Sequence, residues 1–231
     1  MVELNARDDA TRRAWAGALQ SHQLLYPDER VVSFLARRFA ATADNRARHA
    51  LDIGCGSGRH VQLLLDYGFQ TAGIDYTPDA VAMVNAAFGS HPQFRGVVHG
   101  DFRSHSFAQK FHAIVSWGVV FLVPPSEMVA ALQSMAALLA PEGRLLVNFR
   151  TRENSHYGLG QEVEPGCFLL DHRAGAYAGM CYSFLDLPDV ESLVDKVGTL
   201  DIVHVEQTTF RKRNLTELHS WLQVELASRR P

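Results

Sequence analysis

The sequence predicts an α/β fold: a mostly parallel sheet with helices on both faces and a C-terminal antiparallel hairpin. Three observations carry this expectation. Short apolar runs alternate with amphipathic stretches between residues 49 and 150, a glycine-rich turn follows the first run, and two strand-like runs near residue 231 have no helix between them. Strand, helix, strand at this cadence gives parallel βαβ units, whereas adjacent strands without a crossover pair antiparallel.

Residues 1–45 read as an N-terminal helical cap. "DATRRAWAGALQ" is a short helix carrying Trp15, and "LLYPDE" breaks the chain at Pro27. In "DERVVSFLARRFA", Val31, Phe34, Leu35 and Phe39 recur at helical spacing behind the acidic Asp28 and Glu29. The core, residues 46–150, opens with the strand "HALDIG". The helix "RHVQLLLDYG" follows, with Val61, Leu64 and Leu65 on one face and Gly68 as its C-cap. "FQTAGID" is the second strand, and Thr77 with Pro78 opens a helix through Phe88. "FRGVVHGD", "FHAIVSWG" and "GRLLVNFR" supply three further strands, the last two separated by the helix "SEMVAALQSMAALLA".

Residues 151–184 break the cadence, being rich in Gly, Tyr and His, with "GCFLLDH" and "GMCYSFL" able to pair as a short hairpin. Ligands of open α/β sheets bind outside the carboxyl ends of the strands, and long loops in compact domains are usually functional, so this insertion reads as a substrate lid. Residues 185–231 hold a helix around "LPDVESLVDKVG" and the hairpin of "LDIVHVEQTTF" and "ELHSWLQVELA". The whole chain, residues 1–231, reads as one domain.

The bulk properties narrow the function. With 231 residues, 47% of them hydrophobic, the chain can bury one sizeable core. A net charge of −3 offers no basic field for nucleic acid or an anionic membrane, so a small-molecule partner is expected. Cys55, Cys167 and Cys181 form no C-x-x-C, which suits reduced thiols and no metal site, despite eleven histidines. "MVELNARDDATRRAW" lacks the apolar run of a signal peptide, and no later run is long enough to span a bilayer. A soluble, cytoplasmic protein is the expectation.

"LDIGCGSGRH" is the most informative stretch. Gly54, Gly56 and Gly58 occupy alternate positions, where the backbone must turn sharply or approach a ligand closely. Dinucleotide sites usually read G-x-G-x-x-G, whereas this spacing is G-x-G-x-G, with Asp52 two residues before the first glycine. A carboxylate there repels phosphate and attracts an ammonium group. Asp75 lies 21 residues beyond Gly54, where an acceptor for two ribose hydroxyls is expected. "GDF" (Gly100, Asp101, Phe102) closes the third strand with a carboxylate and a ring, suited to the exocyclic amine and face of an adenine.

Together these motifs resemble the class I S-adenosylmethionine-dependent methyltransferases, whose sheet is Rossmann-like. "LDIGCGSGRH" is similar to that family's first motif, "GIDYT" to its ribose-binding loop and "GDF" to its adenine-contacting turn. "VSWGVVFLV" and "PEGRLLVNF" resemble its fourth and fifth strand regions. The resemblance implies S-adenosyl-L-methionine as cofactor and S-adenosyl-L-homocysteine as product. Gly54 and Gly56, with Cys55 a small packing residue between them, would approach the methionine part, and Asp52 would organise its amino group. Asp75 would hold the ribose, Tyr76 would pack on adenine, and Asp101 with Phe102 would frame the base. Ser116 and Trp117 would line the crevice beside the sulfonium.

The acceptor side is less determined. Trp15 and Tyr26 are either helix-packing residues or, as N-terminal helices of such enzymes often provide, a cap on the site. Arg150 and Arg152 would stand at the crevice mouth, able to pair with an anionic group. Tyr157 would touch the acceptor. A hydroxyl acceptor needs a general base, for which His156 is the first candidate and Glu164 the second, while an amine needs only its lone pair. The expected acceptor is a small polar molecule, sugar-like or a secondary metabolite. Two rivals are a nucleic-acid or protein methyltransferase on the same fold and a non-catalytic cofactor-binding module. Against the first, the chain has no basic face, and "SWGV" stands where an "NPPY"-like turn would be.

Overall fold

The computed structural model describes residues 15, 17, 23–39 and 43–229. Trp15 and Gly17 are helical, and the rest of the expected first helix lies outside the described residues. Helix α1 (Glu29–Arg38) starts behind Asp28, whose side chain accepts the Arg30 N–H. The core then runs β1 (His49–Ile53), α2 (Arg59–Asp66), β2 (Gln70–Asp75), α3 (Pro78–Phe88), β3 (Phe94–His99), β4 (Phe111–Ser116), α4 (Pro125–Ala136) and β5 (Leu139–Arg150). After it come β6 (Gln161–Glu164), β7 (Cys167–Leu169), β8 (Cys181–Ser183), α5 (Leu187–Val197), β9 (Leu200–Lys212) and β10 (Glu217–Ser228).

The main sheet has seven strands in the order β3-β2-β1-β4-β5-β10-β9. The pairings from β3 to β5 are parallel, and β10 is antiparallel to both β5 and β9. The expected hairpin is therefore present. Central strands bury both faces, which explains why "HALDI" and "FHAIVS" carry nearly continuous apolar runs. One face packs α4 and α5 through Met128, Leu132, Leu193 and Val194 against Ile114, Val147 and Leu226. The other seats α1, with Val31, Phe34 and Leu35, against Ala50, Val115 and Leu146.

Three local expectations change. Helix α4 ends at Ala136, and β5 begins at Leu139 rather than at residue 143. The added residues form an irregular turn with Glu142 at φ 60°, where the register against β4 shifts between Phe111 and Ala113. Thr77 occupies the N-cap of α3 with extended backbone, but its hydroxyl makes no capping bond. The 151–184 insertion is not a hairpin alone: β6, β7 and β8 form a separate antiparallel sheet, with "QEVE" as a third strand too short and polar to signal itself. Its cysteines, distant in sequence, bring the Cys167 and Cys181 sulfurs within 3.0 Å without a disulfide.

A buried carboxylate anchors α1 to the sheet. Glu225 is fully buried on β10 and accepts the Arg38 Nε at 2.5 Å, with Arg144 Nε 3.5 Å away. Arg37 pairs with Glu206 at 3.0 Å, but both side chains are more than a third exposed. Removing the nearest partner of a buried charge leaves its desolvation uncompensated, whereas an exposed pair is screened. Arg38→Met is therefore expected to lower stability by about 1–3 kcal/mol, and Arg37→Met to stay within about 0.5 kcal/mol of the parent. Urea unfolding of the two variants checks the contrast.

Candidate active site

Strand order reverses between β1, which continues outward through β2 and β3, and β4, which continues through β5. The crevice lies outside the carboxyl ends of these strands, at the switch point. Gly54 lines it from β1, Asp75 and Tyr76 from β2, Asp101 and Phe102 from the turn after β3, and Trp117 with Gly118 from the end of β4. Trp15, Val119 and Leu122 close the apolar side. The space, counted together with the open solvent at its mouth, is about 740 Å³.

The glycine turn is fastened to β2. Gly54 N–H donates to the Ile74 carbonyl at 2.8 Å, and Gly56 N–H donates to Asp75 Oδ2 at 2.9 Å. Asp75 Oδ1 accepts the Thr77 N–H at 2.8 Å. One carboxylate thus braces two turns, and each oxygen keeps a second lone pair for a ligand. Gly54 has φ +71°, and a Cβ there would overlap Val119 Cγ2. Gly56, at φ +51°, has nothing within 4 Å of the position a Cβ would take.

Behind this wall, Asp52 on β1 is 1% exposed, and its Oδ2 has no hydrogen-bond partner. Burial pushes its carboxyl up to about 7, Asp75 adds to the rise, and Arg59 opposes it. Ser116, fully buried at the end of the adjacent β4, also leaves its Oγ without a partner. The Cys55 side chain turns into a small cluster with Val61, Val84 and Val97, and burial raises its thiol far above the ordinary range. It is an inert packing residue there, while its backbone belongs to the turn. Across the crevice, Asp101 is gripped by Arg103, whose Nε lies 3.0 Å from both carboxylate oxygens and whose Nη1 reaches Glu127 at 2.5 Å.

The acceptor-side residues distribute unevenly. Trp15 and Trp117 line the crevice, and the Arg30 guanidinium lies 5.5 Å from the centre of the Trp117 ring. Tyr26 is 83% exposed, and Tyr157 packs edge-on against Phe168 and Phe184 in the insertion. Glu164 accepts the Ser126 N–H and Oγ–H at 3.0 and 2.9 Å, capping the start of α4. His156 is buried among Tyr177, Tyr182 and His219, and its Nδ1 donates to Asn154 Oδ1 at 2.9 Å. Burial and the Arg150 charge lower it to about 4, so it is neutral and a weak base near pH 7. Neither His156 nor Glu164 lines the crevice among the described residues. Arg152 is held by Asp186 and Asp189 at 2.8 and 2.6 Å, so it is not the waiting cation the sequence suggested. No metal-holding group of His, Cys, Asp or Glu exists among the described residues, and no helix there is long and apolar enough to cross a membrane.

Sequence reasoning missed Asn148 on β5. Its Oδ1 accepts the Gly118 N–H at 2.7 Å, and its buried Nδ2 has no partner. A lone Asn inside the apolar run "LLVNF" was the available signal, since a buried amide in a central strand needs a polar reason.

The chain matches the model of a methyltransferase domain over residues 50–143. It is 30% identical over 125 residues to an uncharacterized methyltransferase of Staphylococcus carnosus, covering 54% of this chain and 56% of that protein. It is 29% identical over 104 residues to the dTDP-3-amino-3,6-dideoxy-alpha-D-glucopyranose N,N-dimethyltransferase of Streptomyces fradiae, covering 44% and 39%. The chain thus spans about half the length of these curated relatives, or less. Among solved structures, it superposes on N-methyltransferase NodS of Bradyrhizobium japonicum, in complex with S-adenosyl-L-homocysteine, with a TM-score of 0.62. That likeness, at 17% identity, covers 96% of this chain and 100% of NodS, and shows the fold.

The geometry of the glycine turn can be checked directly. A left-handed backbone costs an L-residue roughly 1–2 kcal/mol, and Gly54→Ala adds the overlap with Val119, for an expected loss of about 2–4 kcal/mol. Gly56→Ala meets only the backbone cost, roughly 1–2 kcal/mol. Chemical unfolding should rank the two in that order, and equal losses would mean that Val119 does not close on the turn.

Proposed function

We propose that the chain is a class I S-adenosylmethionine-dependent methyltransferase and that it transfers the cofactor's methyl group to an amine of a small polar acceptor. The observation that carries the cofactor half is Asp75: a buried carboxylate oriented by two backbone N–H groups on the wall of the switch-point crevice. Its remaining lone pairs suit two ribose hydroxyls. The orphaned Asp52 Oδ2 beside the glycine turn suits the ammonium group of the methionine part, directly or through water. Tyr76 and Phe102 supply rings on the adenine side, and Ser116 and Trp117 stand on the sulfonium side.

S-adenosylmethionine, when bound, supplies a methyl group on a sulfonium, already activated for in-line displacement. The chain's contribution is alignment and exclusion of water, which orientation alone makes worth several kcal/mol. The apolar wall of Trp15, Val119 and Leu122 serves that exclusion. An amine attacks with its own lone pair and needs no side-chain base. This agrees with a crevice in which Asp101 is ion-paired and His156 is neutral and set apart. The named activities of the Streptomyces fradiae relative and of NodS, both N-methyltransferases, support the amine. A small acceptor rather than nucleic acid accords with the net charge of −3.

The test is release of S-adenosylhomocysteine with a panel of amino sugars beside their hydroxyl analogues. Turnover confined to the amines is expected. Turnover only with the hydroxyl analogues, or salt-dependent binding of RNA or DNA, would overturn the acceptor class. S-adenosylhomocysteine binding without turnover on either series would indicate a binding module.

Two calorimetric outcomes are expected. Asp75→Asn keeps one brace for the turns but loses the charged acceptor, so S-adenosylhomocysteine should bind roughly 10–150-fold more weakly. The second concerns pH. Because the Asp52 carboxyl is raised to about 7, its contribution to the stability of the ligand-free protein is full below the ordinary carboxylate range and lost as pH rises toward 7. An ammonium-bearing ligand needs the ionised form, so affinity should fall as pH drops below about 7, and Asp52→Asn should flatten that dependence.

A further inference from the structure

Arg150 ends β5 at the carboxyl edge of the sheet and is 3% exposed. Its guanidinium lies 4.1 Å from the Trp221 ring centre, 4.5 Å from Tyr182, 4.6 Å from Phe121 and 5.9 Å from Tyr177. Ring faces offset part of the cost of removing this cation from water, but they do not satisfy N–H donors lying in the guanidinium plane. Nε and Nη1 have no hydrogen-bond partner.

No carboxylate among the described residues is in ion-pair contact with it. Glu217 acts on Arg150 only through space, its carboxylate being engaged by His219 at 2.9 Å and Arg213 at 3.1 Å. The Tyr182 side chain hydrogen-bonds Arg150, but burial pushes its phenol up to about 12, so it is a neutral partner and no counter-ion. A buried guanidinium without a counter-ion is expensive to keep, and an unmet buried donor calls for a partner that arrives from outside. Arg150 and its rings stand one layer behind the crevice lining: Phe121 precedes Leu122 of the crevice wall, and Trp15, also in that wall, packs on the same aromatic cluster.

Resting on the methyl-transfer reading above, we propose that Arg150 binds an oxyanion carried by the acceptor, a carboxylate or a phosphate monoester. The rings of Trp221, Tyr182 and Phe121 flank the flat or apolar part beside that group. Neighbouring Arg152, already held by two aspartates, makes the assignment specific to Arg150.

The test uses the full chain saturated with S-adenosylhomocysteine, titrated with benzoate, phenyl phosphate and neutral benzyl alcohol. The acids are expected to bind more tightly than the alcohol, and the tighter acid identifies the source of the oxyanion. Arg150→Met should weaken the acids roughly 10–150-fold while leaving S-adenosylhomocysteine and the alcohol unchanged. Failure of S-adenosylhomocysteine itself to bind the parent would overturn the methyl-transfer reading. Binding of the cofactor product with no preference for the acids, or equal acid affinity in Arg150→Met, would overturn the anion site alone. A second readout does not need the probes. If Arg150 serves a ligand, ligand-free Arg150→Met should melt at or above the parent temperature, because an apolar chain replaces an unpaired buried charge. A lower melting temperature would mean that the cation–ring contacts hold the fold, and would overturn the proposal.

Discussion

The Asp75 carboxylate is the joint on which the site is built. It receives Gly56 N–H from the turn after β1 and Thr77 N–H from the entry to α3, so two chain reversals are set by one side chain. Without it, two backbone donors would be buried unmet at the crevice wall. The glycines follow from the same constraint. A chain leaving β1 must turn with left-handed backbone under Val119 to reach Asp75, and Gly54 leaves room for that close approach.

Polar groups left without partners concentrate near the carboxyl ends of β1, β4 and β5. Asp52 Oδ2, Ser116 Oγ, Asn148 Nδ2 and Arg150 Nε are buried and unmet there, and toward the opposite ends His49 Nδ1 on β1 and Arg144 Nε on β5 also lack a hydrogen-bond partner. Each such group costs stability that the core must offset. The chemistry of these groups differs across the sheet: β1 carries an unpartnered carboxylate oxygen, and the end of β5 carries unpartnered guanidinium donors.

The insertion is tied into the body of the fold by packing and hydrogen bonds. Phe168 on β7, Tyr182 on β8 and Phe184 just past it share an aromatic cluster, Glu164 caps α4, and the Ser183 hydroxyl reaches the Val123 carbonyl at 2.8 Å. These ties fix the turn after β4, and with it Leu122 in the crevice wall. His156 belongs to this framework: its Nδ1 donates to Asn154, and Arg150 disfavours its charged form. The sequence motivated a base there because a histidine beyond β5 sits near the expected acceptor. Burial, invisible in the sequence, decided otherwise about its charge.

The sequence by itself determined the sheet and which residues of the glycine turn, β2 and the turn after β3 line the crevice. Apolar periodicity is a local property, and it placed β1 to β4 and the closing hairpin to within about two residues, while β5 starts four residues earlier than expected. Gly54, Asp75, Tyr76, Asp101 and Phe102 were legible because their spacing follows from the length of a strand and a turn. Only the tertiary structure decided which charges are paired. Arg150 and Arg152 are two residues apart and chemically identical, yet Asp186 and Asp189, more than thirty positions away, hold Arg152 while aromatic rings enclose Arg150. Pairing and burial depend on contacts between distant segments, and no local pattern in the chain encodes them.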